Sequence, residues 1–187
     1  MLKTLLSYGL GGVGLAMLLI ALTQVVAANL DYASARYTLI NLLRSQPNRA
    51  ELMVKTAPMT FFEPLHMVMK TLAMCRSSDP ALIAKTSPPT YDGGVASVAG
   101  KWMAIMIKAK LALLAVGGGL ALGLSKDTFP ILLTIVSALA GIAFLWIYLK
   151  KADVEKSMLR ARAEILPEVE RAFIESRYIL PPPPTGY

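Results

Sequence analysis

The feature that most constrains this chain is an uncharged apolar run at residues 128–149, which follows a second uncharged run at residues 111–125. At about 1.5 Å of rise per residue, a helix over the 22 residues of the later run crosses a hydrocarbon core about 30 Å thick. The charged step Lys126-Asp127 lies between the two runs. Because this connection is so short, the runs predict an antiparallel pair of transmembrane helices.

The earlier run is too short to cross by itself, since a membrane span needs about 20 residues. It becomes long enough if its helix begins near Ala99 and if Lys108 and Lys110 extend their ammonium groups toward the headgroups. We therefore predict a transmembrane hairpin over residues 99–149. Its helices are expected at about residues 99–125 and 128–149.

The amino-acid composition also indicates a membrane protein. The chain is 55% hydrophobic and its mean hydropathy is +0.54, whereas soluble domains are about 45–50% apolar even when glycine is counted. The net charge of +7 is concentrated in residues 31–110, where ten basic and five acidic residues leave +5. A basic connection between spans is typical of orientation by positive loops, so the charge is not taken to indicate nucleic-acid binding.

An N-terminal span is predicted over residues 1–30, because no charged residue lies between Lys3 and Asp31. A cleaved signal peptide is the alternative, with small residues near Ala27 as its cleavage site. The apolar stretch is about twice as long as the 7–15 residues of a signal-peptide core, which favours the span. Three spans place the two termini on opposite sides, and the positive-inside rule puts the N-terminus outside.

The expected fold is therefore an all-α integral membrane protein with three transmembrane helices and cytoplasmic helical segments. Residues 31–98 are predicted to form short cytoplasmic helices, with a helix start at Asp79-Pro80 and a loop over residues 87–94. Residues 150–178 predict an amphipathic cytoplasmic helix that restarts near Leu166 because of Pro167. The Pro-rich tail, residues 179–187, is typical of a polyproline II terminus.

Small residues form one stripe on each helix of the hairpin, and we predict that the two stripes face each other. Close approach at small residues is how helices associate in lipid. Packing within one subunit is favoured over a subunit contact or an ion path. The helix-packing candidates are Ala115, Gly119 and Gly123 on the first helix, with Thr134, Ser137 and Gly141 on the second.

No motif predicts catalysis, a cofactor or a metal site. Glu63 and His66 lie three residues apart and are interpreted as an ordinary surface pair, since no nucleophile or second acid accompanies them. The single cysteine, Cys75, excludes an internal disulfide and is predicted to be a small buried apolar filler. No ionisable group lies within the core of any span, so the hydroxyls of Thr134 and Ser137 are the pore-lining candidates if ions cross.

The order of these parts resembles the TolQ and ExbB branch of the MotA/TolQ/ExbB family. The stretch Leu113-Leu-Ala-Val-Gly-Gly-Gly119 is similar to the glycine-rich second span of that family. The resemblance implies a pentameric scaffold around a single-span partner and a proton-driven motor in the bacterial inner membrane. It also implies that Thr134 and Ser137 occupy the positions of polar pore-lining residues.

The sequence thus predicts a non-catalytic integral inner-membrane subunit that oligomerises or holds a multi-protein envelope complex together. Its expected partners are the lipid bilayer and other membrane subunits, with no nucleic acid and no small-molecule substrate. The alternative is a proton-channel scaffold of the MotA/TolQ/ExbB type.

Overall fold

The computed structural model describes residues 2–124, 131–175 and 178, and within that part the regular structure is entirely helical. The all-α prediction is confirmed for these residues. The Lys126-Asp127 connection, the start of the third span and the Pro-rich tail lie outside them. The helices are α1 (Leu2–Ala27), α2 (Tyr32–Ser45), α3 (Pro47–Val54), α4 (Phe62–Cys75), α5 (Pro80–Leu124), α6 (Ile131–Glu164) and α7 (Leu166–Ile174).

Three helical segments are long and apolar enough to cross a membrane, as the sequence predicts. They are Lys3–Ala27, Pro80–Leu124 and Ile131–Ile174, which correspond to α1, to α5 and to α6 with its continuation. This composition is consistent with an integral membrane protein.

Helix α5 corrects two expectations. It begins at Pro80 rather than near Ala99, and the predicted loop at residues 87–94 is helix despite Pro88 and Pro89. Asp79 caps its start by accepting a hydrogen bond from the Ala81 N–H at 3.0 Å, so that part of the prediction is confirmed. Each proline removes one backbone donor.

Burial explains why the helix continues through the two prolines. The buried side chains in this segment recur every four residues on one face, at Ile83, Ser87 and Tyr91. An extended stripe of this kind is lost if the helix ends at the prolines, and burial of such a face outweighs the weak local preference for a turn. Tertiary packing therefore overrides the sequence signal.

Helix α6 joins the third apolar run to the charged segment that follows it, so residues 150–164 are not a separate helix. The break comes at Ile165, and α7 begins at Leu166 with Pro167 in its first turn. The predicted restart near Leu166 is confirmed. Proline is tolerated there because the first turn of a helix has no intrahelical acceptor for that N–H.

The chain divides into two compact units, and α5 and α6 contribute to both. Unit 1 contains Met1–Asn29 and Lys101–Asp153. Unit 2 contains Leu30–Gly100 and Val154–Tyr187. In unit 2, α2 packs on α3 and α7, and α4 packs on α3 and α7.

In unit 1 the buried residues of α1 alternate at intervals of three and four, which is the spacing of helices that pack along a shallow left-handed seam. The same interval governs the unit 1 part of α5. Buried positions on α6 recur every seven residues. The buried positions that follow these intervals are Ser7, Gly11, Gly14, Leu18, Ala21 and Val25 on α1, Trp102, Ile105, Ala109, Ala112, Val116 and Gly119 on α5, and Leu133, Ala140 and Ile147 on α6; Met106 on α5 is also buried.

Unit 2 has an aromatic core at the start of α4. Phe61 and Phe62 are buried, and their ring centroids lie 4.8 Å apart in an edge-on arrangement. Tyr32, at the start of α2, meets the Phe61 ring edge-on with centroids 5.0 Å apart. Edge-on aromatic pairs contribute about 0.5–1.5 kcal/mol beyond the area they bury, so they help to fix α2 against the start of α4.

Candidate functional site

The closest helix contact in unit 1 joins α1 to α5 at glycines on both sides. A Cβ atom added to Gly14 would lie 2.7 Å from the Ala112 carbonyl oxygen and 2.9 Å from the Val116 nitrogen. A Cβ atom added to Gly119 would lie 2.7 Å from the Ser7 carbonyl oxygen. Both positions therefore bring backbone against backbone, which is the contact that glycine permits in lipid.

A buried hydrogen bond reinforces this seam. The Ser7 hydroxyl donates to the Gly119 carbonyl oxygen at 2.6 Å. Interhelical hydrogen bonds from serine in membrane helices contribute about 0.6 kcal/mol on average. Together, Ser7, Gly11, Gly14 and Gly119 form what we call the glycine seam, which fixes α1 antiparallel to α5.

The glycine seam differs from the predicted pairing of stripes. Gly119 is a packing residue, but it packs on α1 instead of α6, and Gly141 has nothing within 4 Å of an added Cβ atom. Ala115, Gly123 and Ser137 are half-buried. The matching backbone surface for Gly119 comes from Ser7 and Gly11. Their spacing with Gly14 follows the 4-3 interval, which is the sequence signal for this contact.

The first described turn of α6 also contacts the glycine seam. A Cβ atom added to Gly11 would lie 2.8 Å from Cδ2 of Leu133. Because Leu133 is a flexible side chain rather than backbone, this contact can adjust more easily than those at Gly14 and Gly119. Gly11 therefore brings α1 close to both other helices of unit 1.

The predicted pore-lining residues lie on α6 in a charge-free segment. Thr134 and Ser137 are both half-buried. The Ser137 hydroxyl oxygen is buried and has no hydrogen-bond partner among the described residues. An unsatisfied buried hydroxyl costs about 1–3 kcal/mol, so a hydrogen bond from Ser137 to a water molecule or an outside partner would be favourable.

Ion pairs tie the helices of unit 2 together. Nη2 of Arg44 on α2 lies 2.8 Å from Oε1 of Glu168 on α7, and that hydrogen-bonded carboxylate raises the pKa of Arg44. On α6, Glu164 pairs with Arg36 of α2. Burial, followed by the charge of Glu164, raises the pKa of Tyr32 to about 12. These exposed pairs add orientation more than stability, since surface pairs contribute only about 0–1 kcal/mol.

A cleft of about 360 Å³ lies between the unit 2 parts of α5 and α6. The Tyr91 hydroxyl donates to the Met158 carbonyl oxygen at 2.7 Å. Asp92 meets Arg162 through two contacts, of 3.0 and 3.1 Å. The principal polar groups at the cleft therefore satisfy one another. The lining residues are Tyr91, Asp92, Val95, Ala99, Glu155, Met158, Leu159 and Arg162.

Glu63, His66 and Cys75 are the remaining residues that the sequence singles out. Glu63 accepts hydrogen bonds from the Met59 N–H at 2.9 Å and from the Ser97 hydroxyl at 3.1 Å. Burial, and then the charge of Lys55, lowers the pKa of His66. Cys75, the last residue of α4, is exposed, which corrects the expectation of a buried filler. In the described part of the chain, no three His, Cys, Asp or Glu residues form a metal-binding group.

No protein-family model, curated protein or solved structure matches this chain.

Proposed function

We propose that this chain is a non-catalytic integral membrane subunit, with α1 and the apolar parts of α5 and α6 as its three spans. In the membrane it assembles with other subunits, as a homo-oligomer or within a larger envelope complex of the bacterial inner membrane. Unit 2 and the tail lie in the cytoplasm and the N-terminus lies outside, as the positive-inside rule favours.

The observation that carries this proposal is a set of uncovered glycines in the apolar helices. Glycine disfavours a helix by about 1 kcal/mol relative to alanine. A glycine that faces only lipid makes no packing contact that offsets this loss of stability. A glycine that faces another helix permits close packing. Within the uncharged apolar runs, the described glycines with nothing within 4 Å of an added Cβ atom are Gly9, Gly12, Gly117, Gly118 and Gly141.

Unit 2 supports the same proposal from outside the bilayer. Tyr37, Met74 and Leu159 are each at least 70% exposed, and Leu52 is 62% exposed. Single exposed apolar residues are common, but four large ones on different helices add apolar area that neighbouring subunits can cover.

Replacing Gly141 by leucine is expected to dissociate the assembly while leaving the single subunit folded. A leucine side chain has space in the isolated subunit, because nothing lies within 4 Å of an added Cβ atom. It would separate a partner helix, however. We expect Gly141→Ala to weaken assembly less than Gly141→Leu, as measured by blue-native electrophoresis after mild detergent extraction.

Gly93→Leu is the matched control, since Gly93 is equally uncovered but lies outside the apolar runs. It should leave the electrophoretic band unchanged. A wild-type protein that migrates as a lone monomer would contradict the proposal.

A second candidate, a proton-channel scaffold around a single-span partner, is favoured by the unsatisfied hydroxyl of Ser137. Because no ionisable group lies in the middle of its spans, this chain could contribute hydroxyls and bound water, and the partner would supply the titratable residue. Thr134 lies one turn before Ser137 and could extend such a polar path.

Replacing Thr134 by valine and Ser137 by alanine is expected, on this second candidate, to abolish proton flux in vesicles that contain the complete complex. Both changes remove a hydroxyl with little change in volume. Assembly should be unaffected in blue-native electrophoresis. Flux at the wild-type rate in the double variant would eliminate the channel candidate and leave the scaffold proposal intact.

A further inference from the structure

We infer that Lys108 and Lys110 bind the phosphate groups of anionic phospholipids and draw those headgroups below the general level of the membrane surface. This inference rests on the proposed membrane insertion of α5. It extends that proposal by naming a lipid class and the two residues that recognise it.

The positions of Lys108 and Lys110 along α5 determine how deep their backbones lie. Helix α5 ends at Leu124 in the described chain. From Lys110 to Leu124 the rise is about 21 Å, and from Lys108 it is about 24 Å, against a hydrocarbon core about 30 Å thick. Only 15 uncharged residues separate Lys110 from Lys126, fewer than the roughly 20 that a membrane span needs, so the spanning part of α5 has to include both lysines.

The contacts of unit 1 give the register of α5 against α1. Gly119 lies against Ser7, and Gly14 lies against Ala112 and Val116. Helices α1 and α5 are therefore antiparallel, and continuing this register places the Lys108 and Lys110 region beside the second half of α1. That half remains uncharged until Asp31.

Asn29, Lys150 and Lys101 lie closer to the end of unit 1 than Lys108 and Lys110 do. The Lys150 ammonium group donates to the Asn29 side-chain oxygen at 2.8 Å, so the end of the α6 span meets the residues just after α1. Asn29 is 15 residues beyond Gly14, which corresponds in the antiparallel register to the region of Lys101 on α5. Lys110 is nine residues further along α5 than Lys101, which is about 13 Å deeper.

Lys108 and Lys110 are exposed, and neither forms a hydrogen bond or an ion pair with any other described residue. Among the described residues of unit 1, five lysines and one acid, Asp153, lie toward this end of the helices. The lysines are Lys101, Lys108, Lys110, Lys150 and Lys151.

An unpaired ammonium group below the headgroup level has two ways to lower its energy. It can extend along its aliphatic stem to the surface, or a phosphate can be drawn down to meet it. Because the two lysines are two residues apart on α5, they point to different sides of the helix. Each therefore meets lipid rather than the other lysine, and an anionic headgroup supplies the missing counter-charge.

The test is lipid retention by the purified full-length protein. Wild-type protein in detergent is equilibrated with equal amounts of phosphatidylglycerol and phosphatidylcholine, passed through gel filtration, and its retained lipids are quantified by mass spectrometry. We expect phosphatidylglycerol to be enriched about threefold or more in the wild type. The enrichment should fall to near one in the K108Q/K110Q double variant.

Two further variants separate position from charge. K85Q/K156Q removes the same number of charges from exposed lysines of unit 2, and it should retain the wild-type enrichment. K108R/K110R keeps both positive charges and should retain it also. Enrichment that falls equally in K85Q/K156Q would show a general charge effect and overturn the inference.

Failure of this inference can be told apart from failure of the span proposal. The same wild-type and K108Q/K110Q proteins are expressed in cells, and their membranes are washed with alkaline carbonate. Protein that stays in the membrane pellet while K108Q/K110Q keeps full enrichment would overturn the lipid inference alone. Protein that is washed from the membrane would overturn both.

Discussion

Replacing Gly14 by alanine is expected to separate α1 from α5 and to destabilise unit 1 by about 1–3 kcal/mol, which is the usual range for overpacking a close contact. The added methyl group would lie 2.7 Å from the Ala112 carbonyl oxygen and 2.9 Å from the Val116 nitrogen. Both atoms belong to the backbone of a helix, so neither can move aside alone. The whole α1 helix has to shift, and the Ser7 hydrogen bond to Gly119 is then stretched.

The measurement is reversible unfolding in mixed micelles, followed by the fluorescence of Trp102 and Trp146, which both lie in unit 1. Gly12→Ala is the matched control, because it is two residues away on the same helix and has nothing within 4 Å. Alanine there should be neutral or stabilising, since it favours helix. Equal stabilities for Gly14→Ala and Gly12→Ala would contradict the seam.

The seam also shows which part of this architecture the sequence can predict. The three apolar helices were predictable from length and charge alone, because a span requires a long run without ionic groups. Which faces meet depends on matching small residues on two helices at once. Gly119 was predicted to be a packing residue, but small residues on α1 and on α6 are equally acceptable partners for it by their chemistry.

The extent of α5 could not be predicted for a different reason. Pro88 and Pro89 are local signals for a turn, and nothing nearby in sequence opposes them. The opposing contributions come from distant residues: the Tyr91 hydroxyl donates to the Met158 carbonyl oxygen, and Asp92 pairs with Arg162. Those contacts exist only after α6 has packed beside α5. The local sequence therefore predicted a loop at residues 87–94, where the structure has helix.

The second large effect is expected at Gly94, where α5 meets α4 in unit 2. A Cβ atom there would lie 2.6 Å from Cα of Pro64 and 3.3 Å from the sulfur of Met67. Met67 can rotate, but Pro64 is part of the helix backbone and carries a rigid ring. Gly94→Ala should therefore push α4 away from α5 and lower the free energy of unfolding by about 1–3 kcal/mol.

Displacement of α4 has a wider consequence, because this helix contributes Leu65, Met69 and Leu72 to the core of unit 2. Gly93→Ala is the adjacent control, with nothing within 4 Å of its added Cβ atom, and it should be neutral or slightly stabilising. Thermal unfolding in detergent and proteolysis within α4 would distinguish the two variants. If Gly94→Ala resists proteolysis as well as Gly93→Ala does, α4 does not need the backbone contact at Pro64, and the packing described for unit 2 is incorrect at that point.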